Sequence, residues 1–228
     1  MKYVAEPKHV REVSISAAAD LGFWEQYLRG QGLVAVERSG KAQLMIVAAS
    51  MRYMGIAFSE VSFSLLVANP LQPEVPAAFL ISAFNSSRFL AWSERLFFHT
   101  PYVHACCEVQ LDPPTVRVRY LHTSFFEASM QSDREAPAGT GESNQPWEGA
   151  VFLPAKNASG PRFYFAKLQG AATTRPFAGA HDHFAIQPSN PHAVFKLLLD
   201  SNCVPLQWTV RPDAVHGRSK TFQRFLSR

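Results

Sequence analysis

Between Leu33 and Val67, apolar residues recur at alternate positions, the period of strands with one buried face. The clearest case is "GIAFSEVSFSLLV", where Ala57, Val61, Phe63, Leu65 and Val67 share one face. That face is uniformly apolar. Ile56, Phe58, Glu60, Ser62 and Ser64 make the other, mixing an aromatic ring, a carboxylate and hydroxyls. Such a mixture suits a strand whose inner side lines a pocket rather than a packed core. Upstream, "LVAVERSGKAQLMIVAAS" reads as strand, Ser-Gly turn, strand. After the Pro-rich break "NPLQPEVP", "AAFLISAF" is a short apolar strand. "PYVHACCEVQL" and "TVRVRYLHTSFFEASM" are strands separated by a turn at Asp112, Pro113 and Pro114, and "RFYFAKLQG", "HDHFAIQ" and "VPLQWTVRP" are further strands.

Helical spacing is rarer. Leu21, Trp24, Tyr27 and Leu28 follow Asp20 as N-cap, with Gly30 past the end. "NSSRFLAWSERLFF" has Asn85 or Ser86 as cap and puts Phe89, Trp92 and Leu96 on one stripe. Asn190 and Pro191 open the helix "PHAVFKLLLD", and "SKTFQRFLSR" reads as a short terminal helix. Residues 1–19 read as a loosely held arm. "QSDREAPAGTGESNQPWEG" reads as a polar loop or hairpin arm, too short to separate independent domains. Many strands, few helices and no Gly-rich strand–helix repeat predict a mainly β, closed-barrel domain spanning residues 1–228.

Composition narrows the partners. With 47% hydrophobic and 18% charged residues, the chain can build a substantial core, and disorder throughout is excluded. The net charge of +4 is spread thinly, without a basic run or zinc-finger spacing, so no nucleic-acid partner is expected. No segment reaches the roughly 18 apolar residues of a membrane span, and the N-terminus lacks the apolar core of a signal peptide. The expectation is a cytoplasmic protein with no membrane partner. Cys106, Cys107 and Cys203 are odd in number, and adjacent strand residues point to opposite faces, so they read as reduced thiols.

The order "FSEVSFSLLV", Pro-rich break, apolar strand, helix and "ERLFFHTPYVHA" resembles the acetoacetate decarboxylase-like barrel superfamily. It is nearest a bacterial branch with the pattern Arg-Leu-x-Phe-x-x-Pro-Tyr. Here that pattern falls on Arg95, Leu96, Phe98 (Phe97 with a one-residue offset), Pro101 and Tyr102. The likeness is best over about residues 40–125. In the decarboxylase the stretch reads Gly-Arg-Glu, three residues, Pro-Lys, and its lysine forms a Schiff base with a β-keto acid. By this resemblance Arg95 matches the arginine, Leu96 stands where the glutamate would be, Tyr102 replaces the lysine, and Glu60 matches a glutamate of the preceding strand. A phenol cannot form an imine, and no lysine lies anywhere from 42 to 155. The resemblance therefore implies the barrel without the Schiff-base lysine. An amine displaced to Lys167, which shares parity with Phe163 and Phe165, would restore it; a lysine near a strand end more often faces solvent.

Glu60, Tyr102 and His104 are the candidate catalytic residues. A carboxylate buried between Phe58 and Ser62 would have a raised pKa and serve as general acid or base; alternatively it pairs structurally with Arg95, Arg117 or Arg119. Tyr102 and His104 share a strand face, where they would polarise a carbonyl or form a structural pair. Arg95, Arg117 and Arg119 are the candidate substrate contacts: an inward pair at 117 and 119 would suit an anion, an outward pair is an ordinary solvated face. His181 and His183, with His192 nearby, have the strand spacing of metal ligands, but Gln187 stands where a cupin-type site wants a carboxylate. No metal and no cofactor is assigned. The expected ligand is a small carboxylate or carbonyl compound, bound by an acid–base enzyme of the lyase or hydratase type, or by a non-catalytic or scaffolding barrel with a filled interior. Aromatic side chains at Trp24, Trp92 or Trp147, if exposed, would serve a homo-oligomer.

Overall fold

A computed structural model describes residues 2–120, 123–131, 139–144, 146–155, 162–189 and 192–223. In chain order the elements are β1 (Tyr3–Ala5), β2 (Val10–Asp20), α1 (Leu21–Leu28), a 3₁₀ turn (Arg29–Gln31), β3 (Glu37–Arg38), β4 (Lys41–Tyr53), β5 (Ile56–Val67), β6 (Ala77–Asn85), α2 (Arg88–Phe97) and β7 (Tyr102–His104). They continue with β8 (Cys106–Leu111), β9 (Pro114–Tyr120), β10 (Thr123–Ser129), β11 (Gly141–Ser143), β12 (Trp147–Leu153), β13 (Arg162–Gln169), β14 (Ala172–Pro176), β15 (His183–Ile186), α3 (Ala193–Asp200), β16 (Val204–Ser219) and β17 (Phe222–Gln223).

Seven strands close a barrel in the order β16-β2-β4-β5-β6-β12-β13, and β13 pairs back onto β16. Neighbours are antiparallel except β6 and β12. A second sheet, β15-β10-β9-β8, packs against the outside. The alternation along β5 explains both layers. Val61, Phe63, Leu65 and Val67 are fully buried in the outer layer with Val116, Val118 and Phe126 of the second sheet and Phe195 of α3. The Phe63 ring meets Phe84, Phe126 and Phe195 edge-on at 6.0, 5.3 and 5.5 Å. The mixed face, with Glu60, points into the barrel.

Several expectations are corrected. Residues 10–20 are no loose arm: β2 pairs with β4 from Arg11 to Asp20 and with β16 on its other side. Its apolar face, Val13, Ile15, Ala17 and Ala19, is as buried as that of β5. "TVRVRYLHTSFFEASM" forms two strands, β9 and β10, paired antiparallel; Leu121 and His122 lie outside the described residues. The strand predicted to end near Pro212 runs on to Ser219 through an irregularity between Arg211 and Ala214, and Phe222–Gln223 is strand rather than helix. The remainder of the expected terminal helix, 224–228, and the predicted cap at Asn190 and Pro191 lie outside the described residues; α3 is capped by His192. On α2 the cap is Ser87, and the stripe of Phe89, Trp92 and Leu96 faces outward, 60%, 51% and 50% exposed. Trp24 is fully buried.

Candidate active site

Pairing register lines up one rung across the barrel's inner face: Glu12 on β2, Ala49 on β4, Glu60 on β5, Asn85 on β6 and His104 on β7. Partners in register point to the same side of a sheet. The side is the interior, because Glu60 on β5 interacts electrostatically with His216 and Arg218 on β16, three strands away. Charges on the outside of a closed barrel would be too far apart for that.

Tyr102 donates its hydroxyl to Glu60 Oε2 at 3.1 Å. Burial, then the neighbouring Glu94 charge, lift the Glu60 carboxyl above its usual range; His216, the Tyr102 hydrogen bond and Arg218 pull against the shift. Burial and the two carboxylates hold the Tyr102 phenol protonated far above its ordinary range. Tyr164, opposite on β13, is lifted to about 12, chiefly by burial.

Arg218 is clamped on three sides. Its Nη1 pairs with Glu94, which also accepts from Thr100 Oγ1 at 3.1 Å. The guanidinium lies 4.5 Å from the Phe98 ring and 4.2 Å from the Tyr164 ring. Burial alone would weaken its charge, but Glu94 and the two tyrosines keep its pKa raised. Its Nε and Nη2 are buried without a partner.

The local sequence positions Glu94. Asn85 Oδ1 accepts from Ser87 N and Ser87 Oγ from Leu90 N, which starts α2 immediately after the rung. One face of the helix carries Ala91, Glu94 and Phe98 toward the barrel. His99 then takes a left-handed backbone, φ 58°, and the chain turns into β7.

A third group completes the interior. Fully buried Glu12 accepts from Arg211 Nη1 at 2.6 Å and from His216 Nε2 at 2.6 Å. Burial alone would raise its pKa, but the His216 hydrogen bond and charge and Arg211 hold it below the usual range. These groups are not wholly covered: Glu60 keeps some exposed surface, and 19% of the Glu94 and 20% of the His216 side chain remain exposed.

No protein-family model matches the sequence, and none of the curated proteins does. Solved structures do match. Acetoacetate decarboxylase from Legionella pneumophila superposes with TM-score 0.65 at 14% identity, covering 96% of this chain and 87% of that one. The fold is that of acetoacetate decarboxylase. An acetoacetate decarboxylase-like enzyme from Sphingomonas wittichii RW1 matches with TM-score 0.60 at 11% identity over 99% and 94% of the two chains. The enduracididine biosynthesis enzyme MppR, complexed with pyruvate, matches with TM-score 0.62 at 13% identity over 96% and 89%.

Within this decarboxylase-like barrel, the structure brings Glu60 and Tyr102 into contact and puts His104 further along their rung, half-buried. The candidate arginines lie elsewhere. Arg95 is exposed on α2, where its neighbour Glu94 turns inward instead. Arg117 and Arg119 lie on the second sheet, paired with Glu127 and Glu108. Lys167 is on the outer face of β13, its ammonium 2.5 Å from Glu6 and 4.7 Å from the Tyr3 ring centre. Its stem crosses Gly217, where any Cβ would collide with it. His181 and His183 are exposed, and among the described residues no cluster of three or more His, Cys, Asp or Glu could hold a metal ion. No helix among the described residues is long and apolar enough to cross a membrane.

Glu12, Glu94, His216 and Arg218 were not among the sequence candidates. A signal existed for two of them: "AVHGRS" alternates, with Ala214, His216 and Arg218 on one face.

Proposed function

We propose that the barrel interior binds a small carboxylate- or carbonyl-bearing molecule and moves protons on it, as an acid–base enzyme of the lyase or hydratase kind that forms no Schiff base. The observation that carries this reading is the Glu60–Tyr102 pair, a carboxyl with a raised pKa on the barrel's inner face that is not fully covered. A carboxyl whose pKa is raised takes and returns protons more readily than an ordinary one. Tyr102 occupies one of its oxygens and leaves the other for a substrate. Arg218 supplies the positive charge. With Nη1 taken by Glu94, the unpaired Nε–Nη2 edge offers two parallel donors, the geometry of bidentate carboxylate binding.

MppR, of the same fold, is complexed with pyruvate, which has both groups the site would read. Against imine chemistry stand the phenol at position 102 and the outward Lys167. A second reading, a non-catalytic barrel, draws on Leu80, Val151 and Leu153, which fill the interior beside Tyr102 and Tyr164.

A thermal-shift series with pyruvate, acetoacetate and 3-hydroxybutanoate tests binding. Saturation at a hundred times Kd would stabilise the fold by about 2.7 kcal/mol. Glu60→Gln should retain the shift and lose proton exchange on the ligand. Borohydride added with pyruvate should leave the intact mass unchanged. A reduced lysine adduct would overturn the imine-free mechanism, and no shift with any of the three acids would favour the filled barrel.

A further inference from the structure

We infer that His216, held by Glu12, is a second catalytic group: it gives a proton to the carbonyl oxygen of the substrate while Glu60 takes one from the adjacent carbon. This rests on the reading of Glu60 just given and names its reaction, enolisation of a small carbonyl compound with an acidic C–H beside the carbonyl.

The ion pairs lead to it. Arg211 is matched by Glu12 and Arg218 by Glu94, each with its own partner carboxylate. Among the described residues, Glu60 has no cation of its own on the inner face, and two imidazoles share that face, His104 on its rung and His216 on β16; of the two it is His216, held by Glu12, whose charge acts on Glu60. Histidine is the side chain whose charge ordinarily changes near neutral pH. The other groups facing this space are Glu12, Arg211, Arg218, Glu94 and His104, with the phenols of Tyr102 and Tyr164.

The mounting of the ring is specific. Glu12, kept ionised by Arg211 and His216, accepts the Nε2–H at 2.6 Å, so the proton on that nitrogen is fixed and Nδ1 is the group free to exchange one. A carboxylate holding one imidazole nitrogen while the other faces a reacting atom is the arrangement of hydrolytic triads. Register explains why the two groups share a space. Glu12 on β2 and Glu60 on β5 flank Ala49 of the intervening β4 on a single rung, so the side chain between theirs on that rung is a methyl group. Their strands are about 10 Å apart, two interstrand spacings.

In the step, the C–H bond breaks toward a Glu60 oxygen and its electron pair becomes the C=C bond. The carbonyl π pair moves onto oxygen, which takes the proton from His216 Nδ1. Glu60 ends protonated and His216 neutral. The reverse step returns both protons, and in D2O it leaves deuterium on carbon. Glu12 touches no substrate; it is a positioning residue.

The test is exchange of the pyruvate methyl protons in D2O, followed by proton NMR across pH. The wild-type rate should be bell-shaped, falling at low pH as Glu60 takes up a proton and at high pH as the general acid loses its own. His216→Gln, whose amide can still donate to Glu12, should exchange about 10²–10⁴-fold more slowly, without the alkaline limb. Tyr102→Phe should keep that limb. Glu60→Gln should abolish exchange. If Glu60→Gln is inactive while His216→Gln keeps the wild-type rate and both limbs, this inference falls and the proposed function stands. If wild-type protein exchanges nothing, both fall. Should His216→Gln not fold, side-chain ¹⁵N signals of the wild type decide: pyruvate must shift His216 Nδ1, and an unmoved signal overturns the assignment.

Discussion

The chain builds two arginine–glutamate clusters from the same side chains and treats them oppositely. On the solvent side of the second sheet, Arg117 bridges Glu127 at 2.9 Å and Glu108 at 3.3 Å, and Arg119 reaches Glu108 at 3.5 Å. Inside the barrel, Arg211 meets Glu12 at 2.6 Å and Arg218 meets Glu94. The outer side chains are 28–45% exposed; Glu12 is not exposed at all. Outside, water screens each pair and leaves it worth about 0–1 kcal/mol. Inside, attraction and desolvation are both large, and apolar residues of similar volume would often hold the fold as well. An interior ion pair kept in spite of that points to a task other than stability: here one pair, Arg218 and Glu94, acts on the Glu60 carboxyl directly, and the other holds the His216 that does.

The sharpest way to break the comparison is to remove one acid from each cluster. Glu12→Ala strands the Arg211 charge and the His216 ring inside the barrel and should cost about 3–5 kcal/mol in urea unfolding. Glu108→Ala should cost about 1 kcal/mol or less. Equal losses at the two positions would mean that the interior is wetter than its burial indicates.

Acidity sharpens the contrast within the barrel itself. Glu60 has a raised pKa, so above the unfolded carboxyl range the native state binds more protons than the unfolded state, and stability falls as pH rises through that window. Glu12 is the reverse: its pKa is lowered, so its contribution is present above the unfolded value and is lost as pH falls through the folded one. Glu60→Gln, which removes the first effect and keeps a partner for Tyr102, should be more stable than wild type at pH 8 and lose that advantage near pH 4. Denaturant midpoints at the two values check it. A substitution that disables the site while stabilising the fold is what a functional carboxyl should give.

Sequence periodicity made the outer layer legible and half of the inner one. β5 was readable because large apolar residues on one face contrast with Glu60 and serines on the other. β2 has the same alternation, but in "VREVSISAAAD" both faces carry small residues, so the contrast is faint and Glu12 went unseen. His216 and Arg218 were missed because Pro212 normally ends a strand, whereas β16 absorbs it in an irregular stretch and continues. α2 misled for a different reason. Its aromatic stripe faces outward, and the inward face is marked by little more than Ala91, so nothing on the helix singled out the half-buried Glu94 over Arg95, which the family resemblance pointed to. Strand parity alone cannot say whether Arg117 and Arg119 face a pocket or solvent; that depends on which sheet carries them.

The smallest expected effect tests whether those outer arginines are spectators. Arg117 stands in register with Glu108 on one side and Glu127 on the other, so its guanidinium completes a cross-strand rung of alternating charge. Such a rung helps fix how β8, β9 and β10 align, since like charges left opposite one another would repel. Arg117→Ala should lower stability by about 1 kcal/mol or less, by an amount that shrinks in 1 M salt as screening removes most of the pair's attraction. Pyruvate binding and methyl-proton exchange should match wild type within error, because the second sheet lies outside the barrel wall. Loss of exchange in a folded Arg117→Ala protein would place the anion contact on that sheet and undo the division between the two clusters.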